Sequence, residues 1–197
     1  MSKSEQERPF RDLLADITRH RKEGRNIFYS QGFWALAVFR LGRAVYLIQN
    51  RPLRSILLPP VLLMKKASEI VCGITVPSSV RIGRGLFLPD FGCIFVDDNA
   101  EIGRNCSIYQ GVTIGARGSK TGSPRIGDFV NIGSGAQILG DIRIGDDVDV
   151  GADAVMLEDV PSHSIAGGVP ARVVPKAHTS SRRTSAWKHR DLQTKIL

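Results

Sequence analysis

Three cysteines, Cys72, Cys93 and Cys106, and four histidines, His20, His163, His178 and His189, are the side chains of this 197-residue chain best suited to ligate a metal or to serve as nucleophile and base. The cysteines show no metal-ligand spacing, so no metal is expected; they read as reduced packing residues, which fits a reducing cytoplasm. The histidines are scattered, and His163, in a Pro-Ser-His-Ser turn, reads as structural. Basic side chains could bind a polyanion, since the formal net charge is +8. Yet the last 22 residues hold +5 of it, from Lys176, Arg182, Arg183, Lys188, Arg190 and Lys195 against Asp191, in an aperiodic stretch rich in Ser and Thr. That composition describes a solvated, mobile tail, and no nucleic-acid module appears.

The elements that would position any site follow from a second pattern. Val96, Ile102, Ile108, Ile114, Ile126, Ile132, Ile138, Ile144, Val150 and Met156 recur at every sixth place, and only Lys120 breaks the series. A helix of 3.6 residues per turn would scatter these positions, and one strand long enough to hold them would be far outside the usual range. Gly follows at 103, 115, 127, 133, 145 and 151, and a small or β-branched residue recurs four places on, as at Ala100, Cys106 and Val112. This is the hexapeptide repeat of a parallel β-helix: three hexapeptides close one triangular coil, and coils stacked about 4.8 Å apart bury the aliphatic residues in columns. Glycine is expected to supply the backbone geometry of each corner. Residues 115–125 span a full hexapeptide with no inward aliphatic, so this loop is expected to leave the prism and cover a groove.

The N-terminal third differs in kind. Apolar residues recur at three and four places over 10–23 and 32–49, as in Leu36, Phe39, Val45 and Ile48, which predicts amphipathic helices. A third apolar segment, 56–64, is interrupted by Pro59-Pro60, which should break or kink a helix, and at nine residues it is too short to span a bilayer. With Arg51, Arg54, Lys65 and Lys66 on its flanks, peripheral membrane contact is conceivable, but packing against the β-helix or a partner subunit is favoured. With 42% hydrophobic and 23% charged residues the chain reads as soluble and globular, and its first 26 residues are too polar for a signal peptide. The expected organisation is a helical region over 1–72, a mainly β domain over 73–174 and a basic tail over 175–197.

The run 85–174 resembles the left-handed β-helix acyltransferases, and most of all their serine acetyltransferase branch. The likeness rests on Ile108-Tyr-Gln-Gly-Val-Thr-Ile-Gly115, Ile126-Gly-Asp-Phe-Val-Asn-Ile-Gly-Ser-Gly-Ala136, Ile138-Leu-Gly-Asp-Ile-Arg-Ile-Gly145 and Ala166-Gly-Gly-Val-Pro-Ala-Arg172. The N-terminal helices also resemble those of polysaccharide acetyltransferases. The resemblance implies a left-handed parallel β-helix, a homotrimer with pairing into a dimer of trimers left open, and acetyl-CoA bound in a groove between subunits. It implies pantetheine contacts at Gly115, Ala116, Ser134 and Ala152, and places Arg172 and Lys176 near the phosphates.

The acceptor side departs from that branch. Thr75 stands where the family has an aspartate, Asp90 where it has an Asp-His pair, and Ser123, before Pro124, where it has a second histidine. Asp90 is therefore the candidate base, a role requiring burial or the neighbouring Asp97 and Asp98 to raise a pKa that is ordinarily about 3.9. Three readings follow: an O-acetyltransferase acting on a hydroxyl other than, or not restricted to, serine, such as a sugar or glycan precursor; serine O-acetylation in cysteine biosynthesis; and a non-catalytic β-helix trimer. The first is preferred, because the coenzyme side persists while the acceptor side has changed. The ending Lys195-Ile-Leu197 differs from the exposed terminal Ile with which serine acetyltransferases join the next enzyme of the pathway.

Overall fold

The six-residue ladder closes into three parallel sheets, the faces of a triangular left-handed solenoid. On the first face Val96, Ile114, Ile138 and Met156 stack in register; Ile82, Ile102, Ile126 and Ile144 do so on the second, and Ile108, Ile132 and Val150 on the third. All are buried, and the small residues between them, Cys106, Val112, Val130, Ala136, Val148 and Ala154, are inaccessible. The computed structural model describes residues 9–24, 26, 29–118 and 122–176.

Four of the six corner glycines, 103, 127, 133 and 145, are needed for a reason other than the expected one. A Cβ at Gly133 would lie 2.6 Å from the Ala152 amide nitrogen of the next coil, and one at Gly103 would collide with the Gly127 carbonyl. Close approach between coils, not an unusual φ, excludes side chains there. The left-handed conformation falls two residues later, at Asn105 (φ 54°), Phe129 (60°), Asp147 (55°) and Asp153 (55°). Asn and Asp tolerate that region; Phe129 does not by preference and must be held by its neighbours.

Register shows where the repeat is interrupted. Ile74 pairs with Ile94, two residues beyond the 18-residue coil, so the extra pair falls around Pro89 and Asp90. Ile114 pairs with Ile138, six beyond it, so six residues between Gly115 and Arg125 are left out of the coil register, as the missing aliphatic foretold. Ser123 fastens the chain's return: the hydroxyl donates to Asp97 Oδ1 at 2.5 Å, and the Asn99 amide donates to the same oxygen at 3.0 Å.

Three helices precede the coils: α1 (Pro9–Lys22), α2 (Gln31–Tyr46) and α3 (Arg51–Cys72). Ala35, Leu36 and Phe39 of α2 join the solenoid core at its first coil. Asp16 of α1 accepts from Arg40 Nε of α2 at 2.9 Å and from the Leu86 amide at 2.9 Å, while Arg40 donates to the carbonyls of Ile82 and Gly83. Burial raises the Asp16 pKa, against the opposing pull of Arg40. Arg19 adds bonds to the Gly85 and Cys106 carbonyls and to Ser107 Oγ.

Three expectations need correction. Pro59 and Pro60 do not end α3, which runs through them for 22 residues between an Asn50 N-cap and a Gly73 C-cap at φ 64°. The carbonyls of Ser55 and Ile56 lose their helical donors, but both residues are exposed. The outer apolar side chains of α3 do not pack on the solenoid. Cys93 is exposed, whereas Cys72 is buried and burial pushes the Cys106 thiol up to about 11. No helix among the described residues is long and apolar enough to cross a membrane. At the other end Arg172–Pro175 folds back antiparallel on Ser164–Gly167. Beyond Lys176 the tail, with His178, His189 and the Lys195-Ile-Leu197 ending, lies outside the described residues.

Removing the Asp16 carboxylate leaves buried Arg40 with only the Asp12 carboxylate, 3.7 Å away, as counter-ion and strips it of its shorter ion pair, so Asp16→Ala should lower unfolding free energy by about 3 kcal/mol in chemical denaturation. Ser123→Ala should cost about 1 kcal/mol, because its partner is partly exposed. The Ser123 hydroxyl, and after it the Asn99 amide, hold the Asp97 carboxyl below the ordinary 3.8. A depressed acid contributes fully above its unfolded value and loses that contribution as pH falls through the folded one. The Ser123→Ala deficit should therefore be constant at neutral pH and shrink below about pH 4.

Candidate active site

Asp90 lies on the corner between the third and first faces, half-buried, where the two inserted residues widen the coil. Opposite it stands the start of α2, whose Ser30 N-cap accepts from the Phe33 amide. The helix is seated hard against this corner. A Cβ on Gly32 would lie 3.0 Å from the Asp90 carbonyl oxygen and would collide with that of Leu88. Between them opens a cleft of about 270 Å³, lined by Asn26, Tyr29, Ser30, Gln31, Pro89, Asp90 and Phe91. Tyr29 and Phe91 expose their rings, 87% and 58%, so the cleft combines a carboxylate, an amide and two aromatic faces.

Asp97 and Asp98 do not join Asp90. The strand Ile94–Val96 intervenes, about 10 Å of extended chain, and the Asp97 carboxyl is committed to Ser123 and Asn99 while Asp98 accepts from Ser79 at 2.9 Å. Thr75 pairs with Phe95 on the first face. Thr75, Asp90 and Ser123 thus border one face, with the last two at its opposite edges.

The six residues expected to contact the coenzyme divide among three places. Ser134 and Ala152 stack one coil apart on the same edge as Asp90, since Ile132 pairs with Val150. Gly115 and Ala116 lie on the far edge, beside Asp97. A Cβ at Gly115 would meet Phe95 and Asp97 at an ordinary 3.7 Å, so the stacking of the coils does not require glycine there. Arg172 is exposed at the start of the terminal antiparallel strand. Lys176 is engaged with Asp147 at 2.9 Å and Asp149 at 2.8 Å, and the same Asp147 meets His163 Nδ1 at 3.0 Å. One chain therefore does not close a pocket around these residues.

Sequence reasoning missed the Asp97–Ser123 bond and the Lys176 ion pairs. The first was detectable in principle, because a skipped hexapeptide returns residue 123 to the level of residue 97. The second had no local signal, for its partners are 29 and 27 positions away. Among the described residues no cluster of His, Cys, Asp and Glu could hold a metal.

Comparison with known proteins gives a consistent picture. Residues 123–157 match the family model described as bacterial transferase hexapeptide (six repeats). The serine acetyltransferase of Escherichia coli strain K12 is 35% identical over 152 residues, 76% of this chain and 53% of that one, so the chain spans about half the length of the curated relatives it matches. The apoenzyme of soybean serine acetyltransferase superposes with a TM-score of 0.74 at 33% identity, over 84% of this chain and 69% of that one. A serine acetyltransferase solved in complex with CoA gives 0.71 at 29%, over 84% and 69%. With the stacked aliphatic columns and the displaced loop already seen, these likenesses establish that the chain belongs to the hexapeptide-repeat acyltransferases, in their serine acetyltransferase-like branch.

Proposed function

We propose that the chain is an acetyl-CoA-dependent O-acetyltransferase working as a homotrimer in the cytoplasm. The observation that carries this reading is the division of small residues between two edges of the prism, Ser134 and Ala152 on one, Gly115 and Ala116 on the other. A neighbouring copy would complete a groove lined by these small residues, along which a pantetheine arm would lie. Acetyl-CoA would bring the activated acyl group. Arg172, which is exposed, would meet its phosphates, and Lys176 would have to leave Asp147 and Asp149 to do so.

The chain's own chemical task is to take a proton from the acceptor hydroxyl as it attacks the thioester carbonyl. Asp90, at the cleft and on the edge shared with Ser134, is the group assigned to it. For the acceptor, the comparisons favour serine over the non-serine hydroxyl preferred on sequence grounds, since the relatives named above are serine acetyltransferases. One observation favours the non-serine alternative: Thr75, Asp90 and Ser123 replace the acidic residue and histidines expected around serine, and the cleft beside Asp90 carries exposed aromatic rings suited to a sugar face.

Transfer from labelled acetyl-CoA should be measured across a panel holding serine and sugar nucleotides, with Asp90→Asn run beside the parent chain. Acetylated serine is expected, and Asp90→Asn should lose about 10²–10⁴-fold in kcat with little change in KM. Acetylation of sugars alone would assign the other acceptor. Full activity in Asp90→Asn would remove Asp90 from the proton transfer, and failure to bind or hydrolyse acetyl-CoA would leave the non-catalytic trimer.

A further inference from the structure

Among the described residues nothing covers the outer surface of α3. Ile56, Leu63 and Ile70 follow one another at seven-residue intervals, hence along a single line of the helix, and are 71%, 73% and 78% exposed. Leu53, Met64 and Val71 widen that line, at 45%, 48% and 66% exposure. The buried residues of the helix, Val61 and Cys72, lie on the opposite side. At 100° per residue the uncharged arc, from Lys66 round to Arg54, is about 240° wide, broader than the narrow seam that two helices share in a coiled coil.

Charge is distributed as unevenly as hydrophobicity. Residues 9–72 carry eleven Lys and Arg against four Asp and Glu, whereas residues 73–176 carry nine against twelve. On α3 itself Lys66 and Arg54 bound the uncharged arc, Arg51 and Lys65 lie between them on the side away from the apolar line, and the single acid, Glu69, is paired with Lys65 and Lys66. We propose that α3 lies in the surface of an anionic lipid bilayer, with the line Ile56, Leu63 and Ile70 at the headgroup boundary and the basic helical region against the lipid charge. Charge decides between this occupant and a second copy of the chain. A two-fold contact through α3 would bring together two helical regions that each carry eleven Lys and Arg against four Asp and Glu, whereas an anionic bilayer attracts both. Pro59 and Pro60 fit a helix at this depth: the carbonyls they leave without helical donors stay within reach of interfacial water, as they would not in the hydrocarbon core.

The test is flotation of the full chain with vesicles of phosphatidylcholine alone and of phosphatidylcholine with phosphatidylglycerol. Binding is expected to the mixed vesicles only and should weaken as salt rises. Leu63→Glu combined with Ile70→Glu should reduce it by about tenfold or more at unchanged melting temperature, because neither side chain is buried in the fold. Arg51→Glu with Lys66→Glu should weaken it while leaving the apolar line intact. Absence of binding to either vesicle would overturn the proposal. So would light scattering in which Leu63→Glu with Ile70→Glu splits a larger assembly of the parent chain into a smaller one, which would give the face to a second copy.

Discussion

Everything in this molecule depends on how closely one coil can lie on the next. Where the backbone of one corner meets the carbonyl or amide above it, as Gly103 meets Gly127 and Gly133 meets Ala152, there is no room for a single methyl group. That contact fixes the 18-residue pitch, and the pitch brings each Ile over the last so that water is excluded from the column. Departures are admitted only where they leave the stack undisturbed. The two extra residues beside Asp90 and the six between Gly115 and Arg125 fall outside the strand register, and the columns run past them without a gap.

A stack of this kind has two ends, each a cross-section of apolar core. At the first coil α2 supplies the cover through Leu36 and Phe39, and the Asp16–Arg40 pair, bonded to backbone on three sides, locks the helices to the rim. This polar lock is costly to desolvate and is kept satisfied by five hydrogen bonds among Asp16, Arg40, Ile82, Gly83 and Leu86. Its position links packing to chemistry, because the same helix that covers the core presses its first turn on the Asp90 corner through Gly32.

The solenoid was legible in the sequence because its information is periodic: each inward Ile announces the next, and a missing one, at Lys120, announces the loop. The first two helices were legible by the same kind of regularity. What escaped were facts that depend on two unrelated stretches meeting. Pro59-Pro60 looked like a break because local chemistry says so, yet exposed carbonyls and good caps at Asn50 and Gly73 let α3 continue. Corner glycines were read as conformational devices, when the constraint comes from the coil above. Lys176 looked available for phosphate because nothing near it in the chain hinted at Asp147 and Asp149. The Asp97–Ser123 bond required knowing that a whole hexapeptide is looped out between them.

The antiparallel return of Arg172–Pro175 on Ser164–Gly167 has a further consequence. A parallel solenoid is an open-ended template, since its last coil presents unpaired amides and carbonyls at the spacing that an incoming coil would need. By reversing direction, the final strand occupies the hydrogen-bonding groups of the third face with a segment whose own side chains are all exposed, so nothing of the same register can be added there. Growth is terminated from within the chain, and a shape that would otherwise favour fibres is left with a finite length.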